Sequence, residues 1–211
     1  MKADLHTHTN YSPCSPMSAE TLLKTAHKKG LDIIAITDHN KINGALKARR
    51  INPYKDLKII IGCEKKCEYG ELLIYNLKKM IKSSKFQDIL REAREQKAKV
   101  FIAHPTDYLR FKNKWKKMND SFLKSVDGIE SVNGRNIFNQ TAINIAKSKG
   151  LKAVAGSDAH YPEELGNTYI EYDKNLWKEI DAKRIRIIHK NNLFNKLKLL
   201  MSSFLNKWVL K

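Results

Sequence analysis

GLDIIAITDHN, residues 30–40, decides how this chain folds. Gly30 stands where a helix would end, the run DIIAIT, residues 32–37, is mostly apolar and reads as a buried strand, and Asp38-His39 follows at once. A short apolar run without polar alternation reads as a strand buried on both faces, as in a parallel sheet covered by helices. The same grammar recurs along the chain: ADL before His6-x-His8, KIIIG before Cys63-Glu64, KVFIA before His104-Pro105, and KAVAG before Ser157-Asp158-x-His160. Each run closes on His, Asp or Glu, which predicts that all five clusters sit at the C-terminal ends of strands. In an α/β barrel those ends converge on one face, so residues nearly a whole chain apart would meet. Imidazole and carboxylate are ligands for Zn, Mn or Fe, and a carboxylate can bridge two ions. The pattern predicts a multi-metal hydrolase.

Helix signals separate these strands. Ser18 is placed to cap a helix with Leu22, Leu23 and Ala26 on one face and Gly30 just past its end. Phe86, Ile89, Leu90 and Ala93 predict a second helix, and Ile137, Ala142, Ile145 and Ala146 a third that ends near Gly150. From Ile59 to Asn76 two strands flank Glu68-Tyr69-Gly70 with no room for a helix, which predicts a hairpin that carries Glu64 into the site. Few βα units fit in 211 residues, so the expected fold is α/β, a short and distorted (β/α) barrel over residues 1–190. Residues 191–211 are expected to form an amphipathic helix, with Leu193, Leu197, Leu200, Phe204 and Trp208 along one stripe and Lys196, Lys198, Lys207 and Lys211 mostly off it. Apolar stripes usually face a core, so docking on the barrel is expected and membrane-surface contact is not.

The chain is long enough to bury a full core, its 42% apolar content is ordinary, and no run could span a bilayer. A cleaved signal peptide is not expected, because His6 and His8 lie where it would be removed. Cys14, Cys63 and Cys67 form no even framework and read as reduced thiols of a cytoplasmic protein. Cys63 and Cys67 lack a second pair that would complete a structural metal site. A formal charge of +18 favours anionic partners such as nucleic acid or phosphate esters. Lysine-rich surfaces also occur for stability alone, so charge by itself names no partner.

The strings DLHTHTNYS, GLDIIAITDHN, GCEKKCEYGELLIYN, IAHP and AGSDAH, in this order over residues 3–160, resemble the PHP (polymerase and histidinol phosphatase) superfamily of metal-dependent phosphoesterases. The resemblance implies that His6, His8, Glu64 and Asp158 hold one metal, with Glu64 bridging to a second that His104 also holds. His39 and His160 would serve a third ion, which makes two or three divalent ions (Mn, Zn or Fe) in all. Two such ions about 3.5–4 Å apart can lower the pKa of a bridging water toward roughly 7 and clamp an in-line phosphoryl displacement. This chain departs from the pattern twice. Pro13 and Cys14 stand where many relatives carry Asp or His, so Cys14 is either a substitute thiolate ligand or, the preferred reading, a loop thiol. Glu71 stands at a hairpin position that is His in several relatives, and its carboxylate suits a hard ion such as Mn at the second position. Asp4 and Asp38 are expected to orient imidazoles rather than bind metal. His27 and His189 are not expected to be ligands.

The expected activity is phosphate-ester hydrolysis by a metal-bridged hydroxide, with Glu64 and Asp158 catalytic and Asp158 taking the proton of the attacking water. Arg110 and Arg135 would neutralise the substrate phosphate, Arg135 bidentately. YLRFKNKWKK, residues 108–117, interleaves Arg110, Lys112, Lys114, Lys116 and Lys117 with Phe111 and Trp115. That suits a phosphate backbone with stacked bases, or equally a solvated helix that packs Trp115 on the barrel. Candidate substrates are therefore a nucleotide, an oligonucleotide end or a small phosphomonoester. Two rival readings exist. One is a non-catalytic, metal-stabilised nucleic-acid-binding module, which the retained ligand set opposes. The other is a hydrolase of carbon–nitrogen bonds, which Asp38-His39 and the Glu64 hairpin oppose.

Overall fold

The computed structural model describes residues 1–107, Trp115 and residues 120–190. Arg110, Lys112, Lys114, Lys116 and Lys117, and the segment Asn191–Lys211, lie outside the described residues. The first strands, β1 (Lys2–Thr7), β2 (Ile33–Ile36) and β3 (Lys58–Cys67), pair in parallel. They are joined by α1 (Ala19–Lys28) and α2 (Asn43–Ile51). Ser18 caps α1 by accepting the Thr21 N–H, and Leu22, Leu23 and Ala26 are buried. Gly30 leaves the helix at φ +65°, the left-handed conformation that a residue with Cβ adopts only under strain. α2 had no clear signal, because its buried face consists of Gly44, Ala45 and Ala48.

β4 (Gly70–Tyr75) returns antiparallel to β3 as the predicted hairpin. α3 (Phe86–Glu95) leads into β5 (Lys99–Ile102), which is antiparallel to β4 and therefore runs in the same direction as β3. After α4 (Asp120–Ser125), β6 (Gly128–Asn133) joins β5 in parallel. α5 (Asn139–Ser148) then leads into β7 (Lys152–Gly156), parallel to β6. Of these seven strands β4 alone is reversed, so β1, β2, β3, β5, β6 and β7 point their C-terminal ends the same way.

The curved sheet closes where β7 returns to β1. Asp158 N donates to His6 O at 2.8 Å, His8 N donates to Ala159 O at 2.9 Å, and a parallel bridge joins Thr7 to Ala159. A Cβ at Gly156 would lie 2.3 Å from His6 N, so this approach requires glycine. β8 (Thr168–Glu171) pairs antiparallel with the start of β1, α6 (Leu176–Asp181) follows, and β9 (Arg186–His189) pairs with β8. These four-residue strands are too short and too charged to stand out in the sequence.

Alternation along the strands feeds two cores. Ile34, Ile36, Leu72, Ile74 and Ile102 pack with the apolar faces of α1, α2 and α3. Ala3, Leu5, Ala35, Leu73, Tyr75, Phe101 and Val154 pack instead with Leu176 and Ile180 of α6. One expected helix residue is displaced: Ile137 precedes α5 and is 42% exposed, because Asn136 Oδ1 accepts the Phe138 N–H in a turn that delays the helix start. Cys63 and Cys67 lie in the apolar core, and burial pushes their thiols up to about 12 and about 11, which suits packing rather than metal binding. Among the described residues no helix is long and apolar enough to cross a membrane.

Candidate metal centre

The convergent strand ends gather His6, His8, His39, Glu64, Glu71, His104, Asp158 and His160 at one site. His39 lies beyond β2, His104 beyond β5, and Asp158 and His160 beyond β7. Glu64 corrects the strand-end expectation, since it sits in the middle of the ten-residue β3. The apolar run stops at Gly62, but pairing with β4 extends the strand past it, with Glu64 opposite Leu73. Glu64 N also donates to Thr37 O at 3.0 Å, which fixes it beside the end of β2.

The fully buried Glu64 carboxylate is central. Its Oε1 lies 2.7 Å from His104 Nε2, and its Oε2 lies 3.0 Å from His39 Nδ1 and 3.4 Å from both His6 Nε2 and His8 Nε2. Asp158 Oδ1 lies 3.1 Å from His8 Nε2 and 3.5 Å from His6 Nε2. Glu71 reaches within 3.7 Å of His39 Nδ1 and 3.8 Å of His104 Nε2. Ligand atoms fall within 4.8 Å of one another in three sets: His6, His8 and Asp158; His39, Glu64 and Glu71; and His8, Cys14 and His39. Cys14, expected as a loop thiol, is exposed, with its Sγ within 4.8 Å of imidazole nitrogens of His8 and His39.

The hydrogen bonds behind these side chains settle which imidazole nitrogen faces the site. Ser12 Oγ donates to Asp38 Oδ1 at 2.7 Å, so it can only accept from His8 Nδ1 at 3.2 Å. His160 Nδ1 faces the carbonyl of Asp158 at 2.8 Å and must donate. His6 Nδ1 donates to Glu130 Oε1 at 2.9 Å. His6 and His8 therefore turn Nε2 inward, onto Glu64 and Asp158, and His160 is left with Nε2 as its unprotonated nitrogen. His6 Nε2 and His8 Nε2 are buried with no hydrogen-bond partner among the described residues, a cost that a bound cation removes. Imidazole nitrogens and carboxylates arranged this way fit divalent metal ions.

Electrostatics point the same way. Burial disfavours charge on His6, yet Asp158, Glu130 and Glu64 outweigh it and raise its pKa well above the ordinary value. Burial also opposes ionisation of Glu64, but His6, His104 and His39 hold its carboxyl well below the usual range. His39 rises to about 9 despite burial, through its bond to Cys14 and the charge of Glu64. His160 drops to about 3, mainly by burial, and stays neutral. The buried carboxylates demand compensating positive charge at the centre.

Glu130 in β6 was missed by the sequence reading. Besides holding His6, its Oε2 accepts the His104 N–H at 2.8 Å and an N–H from Asn133 Nδ2 at 3.1 Å, and Asn133 also donates to Asp158 Oδ2 at 3.3 Å. A carboxylate inside an otherwise buried strand was the available signal, since such a group needs partners. Asp4 departs from the expectation of orienting an imidazole, whereas Asp38 meets it through Ser12. Asp4 accepts backbone N–H groups of Ser157 and Gly166, both at 2.9 Å, and so braces β7 against β1, while burial raises its carboxyl to about 6. Asp38 binds Thr9 N and Oγ1 at 2.7 Å and reaches His8 only through Ser12. His104 and Asp158 hold φ values of +27° and +54°, left-handed conformations costly for residues with Cβ and common at functional sites. Arg135 follows β6, half-buried and near enough to His160 to lower its pKa. Neither His27, stacked on Tyr54 with centroids 4.0 Å apart, nor His189, bonded to Thr168 Oγ1 at 2.8 Å, joins the centre.

Known proteins resemble this chain in sequence or in fold. The MJ1587 protein of Methanocaldococcus jannaschii is 31% identical over 159 residues, 68% of this chain and 90% of its own. A two-domain Bacteroides vulgatus protein containing a predicted PHP-like metal-dependent phosphoesterase superposes with a TM-score of 0.73 at 21% identity, over 96% of this chain and 69% of its own. PsfC from Pseudomonas syringae superposes with a TM-score of 0.70 at 16% identity, over 100% of this chain and 98% of its own. Likeness at such low identity speaks for the fold alone. The PHP domain model matches residues 4–124, and a PHP-associated model matches residues 136–183. With more than half its length matched to that model, and the barrel and its His/Asp/Glu centre in place, the chain belongs to the PHP family.

Proposed function

We propose that this protein is a metal-dependent phosphoesterase that hydrolyses phosphate esters of nucleotides, oligonucleotide ends or small phosphomonoesters. The observation that carries the reading is the set of imidazole Nε2 atoms turned onto buried carboxylates, with Nε2 of His6 and of His8 lacking a hydrogen bond among the described residues. His6, His8, Glu64 and Asp158 would hold one ion, Glu64, His104 and Glu71 a second, and His39 and His160 a third. Bound Mn, Zn or Fe ions supply the Lewis acidity that activates water near neutral pH and the charge that offsets phosphate oxygens. Carboxylates of Glu64 and Glu71 at the second position favour a hard ion such as Mn.

The chain's own groups do the rest. Asn133 occupies Asp158 Oδ2 and leaves Oδ1 toward His6 and His8, where Asp158 takes the proton of the attacking water. Arg135 pairs with substrate phosphate beside His160, joined by Arg110. The unpaired thiols of Cys14, Cys63 and Cys67 support a cytoplasmic location. The test is elemental analysis of purified protein together with turnover of phosphomonoesters, dinucleotides and labelled oligonucleotides under Mn, Zn or Mg. Metal-loaded protein that turns over none of them yet binds oligonucleotides would be the non-catalytic module instead.

A further inference from the structure

Among the described residues the strands are not equally covered. β2 and β6 are buried along their whole length, whereas β9 is exposed or half-buried at every position. A groove of about 560 Å³ opens there, between α5, the turn after α6, and β9. Its walls are Val132, Ile143, Ala146, Leu151, Ile185 and Ile187. Of these Ile143, Leu151, Ile185 and Ile187 are only half-buried. Two polar groups along it are already engaged: Lys183 Nζ donates to Gly150 O at 2.7 Å, and Asn139 Nδ2 donates to Asn133 O at 2.9 Å. The groove therefore favours an apolar occupant over a small polar ligand.

We propose that the occupant is this chain's own segment Asn191–Lys211. The described chain ends at Lys190, whose N–H is tied to Asn167 O at 2.7 Å, one residue past His189, itself a wall residue of the groove. The 21 residues that follow start at the groove edge. Within them Leu193, Leu197, Leu200, Phe204 and Trp208 recur at spacings of four, three, four and four. That spacing lays all five on one helix face, and a helix of this length reaches about 31 Å. The stripe would complete the burial of Ile143, Leu151, Ile185 and Ile187, which the described residues cover only in part. The segment has four lysines and no acidic residue, so an anionic membrane surface is the competing occupant of the same stripe.

The test uses the full chain. Hydrogen exchange is followed by mass spectrometry in wild type and in Leu197→Asp/Leu200→Asp/Phe204→Asp, whose changes lie outside the described barrel. A photo-crosslinking residue at Leu200 identifies what the stripe touches, and size-exclusion light scattering gives the mass. Docking predicts crosslinks within one chain to peptides of 139–151 or 185–189, and at least about tenfold faster exchange of those peptides in the triple variant. Unchanged exchange there overturns the proposal. Crosslinks between chains of a dimer would assign the groove to a second copy. A stripe protected only with phosphatidylcholine–phosphatidylserine vesicles would assign it to a membrane surface, and either result overturns docking on its own barrel.

Discussion

Glu130→Gln is the sharpest single perturbation of this centre. The wild-type carboxylate accepts from three donors: His6 Nδ1 at one oxygen, His104 N and Asn133 Nδ2 at the other. An amide of the same shape offers one acceptor and one donor. If its NH2 faces His6, the imidazole must shift its proton to Nε2 and can no longer ligate there. If it faces His104 and Asn133, two buried donors lose their acceptor. Hydrogen bonds to charged groups are worth about 1.5–3 kcal/mol and an unmet buried group costs about 1–3 kcal/mol, so the variant should lose about 2–4 kcal/mol of stability. Disturbing a carboxylate behind a metal-ligating histidine typically weakens metal binding about 10–100-fold, equivalent to about 1.4–2.7 kcal/mol. Competition with a chromophoric chelator reads the affinity, and thermal unfolding of the metal-free protein reads the stability. Wild-type affinity together with an unshifted melting temperature would refute the argument. Lost stability with full affinity would assign Glu130 to the fold alone.

Three further outcomes are expected. Crystals grown with Mn should show at least two ions among His6, His8, Glu64, His104 and Asp158, and chelation should lower the melting temperature, because a ligand that binds only the native state stabilises it; one ion or none would overturn the dinuclear reading. Glu64→Ala should abolish phosphoester hydrolysis while Cys14→Ser keeps most of it, and near-native turnover of metal-replete Glu64→Ala would show the centre misread. Replacing Lys112, Lys114, Lys116 and Lys117 by Ala should weaken oligonucleotide binding and flatten its salt dependence, because each lost phosphate contact releases fewer counterions; an unchanged salt series would leave a small-molecule phosphatase.

The barrel and the convergence of the candidate ligands were readable because both follow from one rule: an apolar strand must end, and in a parallel sheet the ends share a face. That rule reached His6, His8, His39, His104, Asp158 and His160 without any knowledge of distance. It misplaced Glu64, because backbone pairing with β4 carries β3 past the point where its side chains stop being apolar. It said nothing of α2, whose buried face is made of Gly44, Ala45 and Ala48, nor of β8 and β9, where four residues carry too little periodicity. The expected link from Asp4 to an imidazole failed for a different reason: sequence proximity to His6 favoured it, but backbone N–H groups of Ser157, Gly166 and His6 itself take up the carboxylate.

Glu130 shows what a strand-by-strand reading leaves out. It lies 124 residues from His6 and 26 from His104, and serves both with one carboxylate. The two contacts act on different properties, one on the proton of His6 and the other on the backbone of a residue held at φ +27°. Neither could be assigned without knowing that β6 lies beside β5 and faces β1 across the closed end. The same closure depends on Gly156, where any side chain would meet His6 N. His6 is therefore positioned twice, by a glycine that admits β7 and by a carboxylate that orients its ring. A variant at either position should disturb metal binding before it disturbs the strands far from the centre.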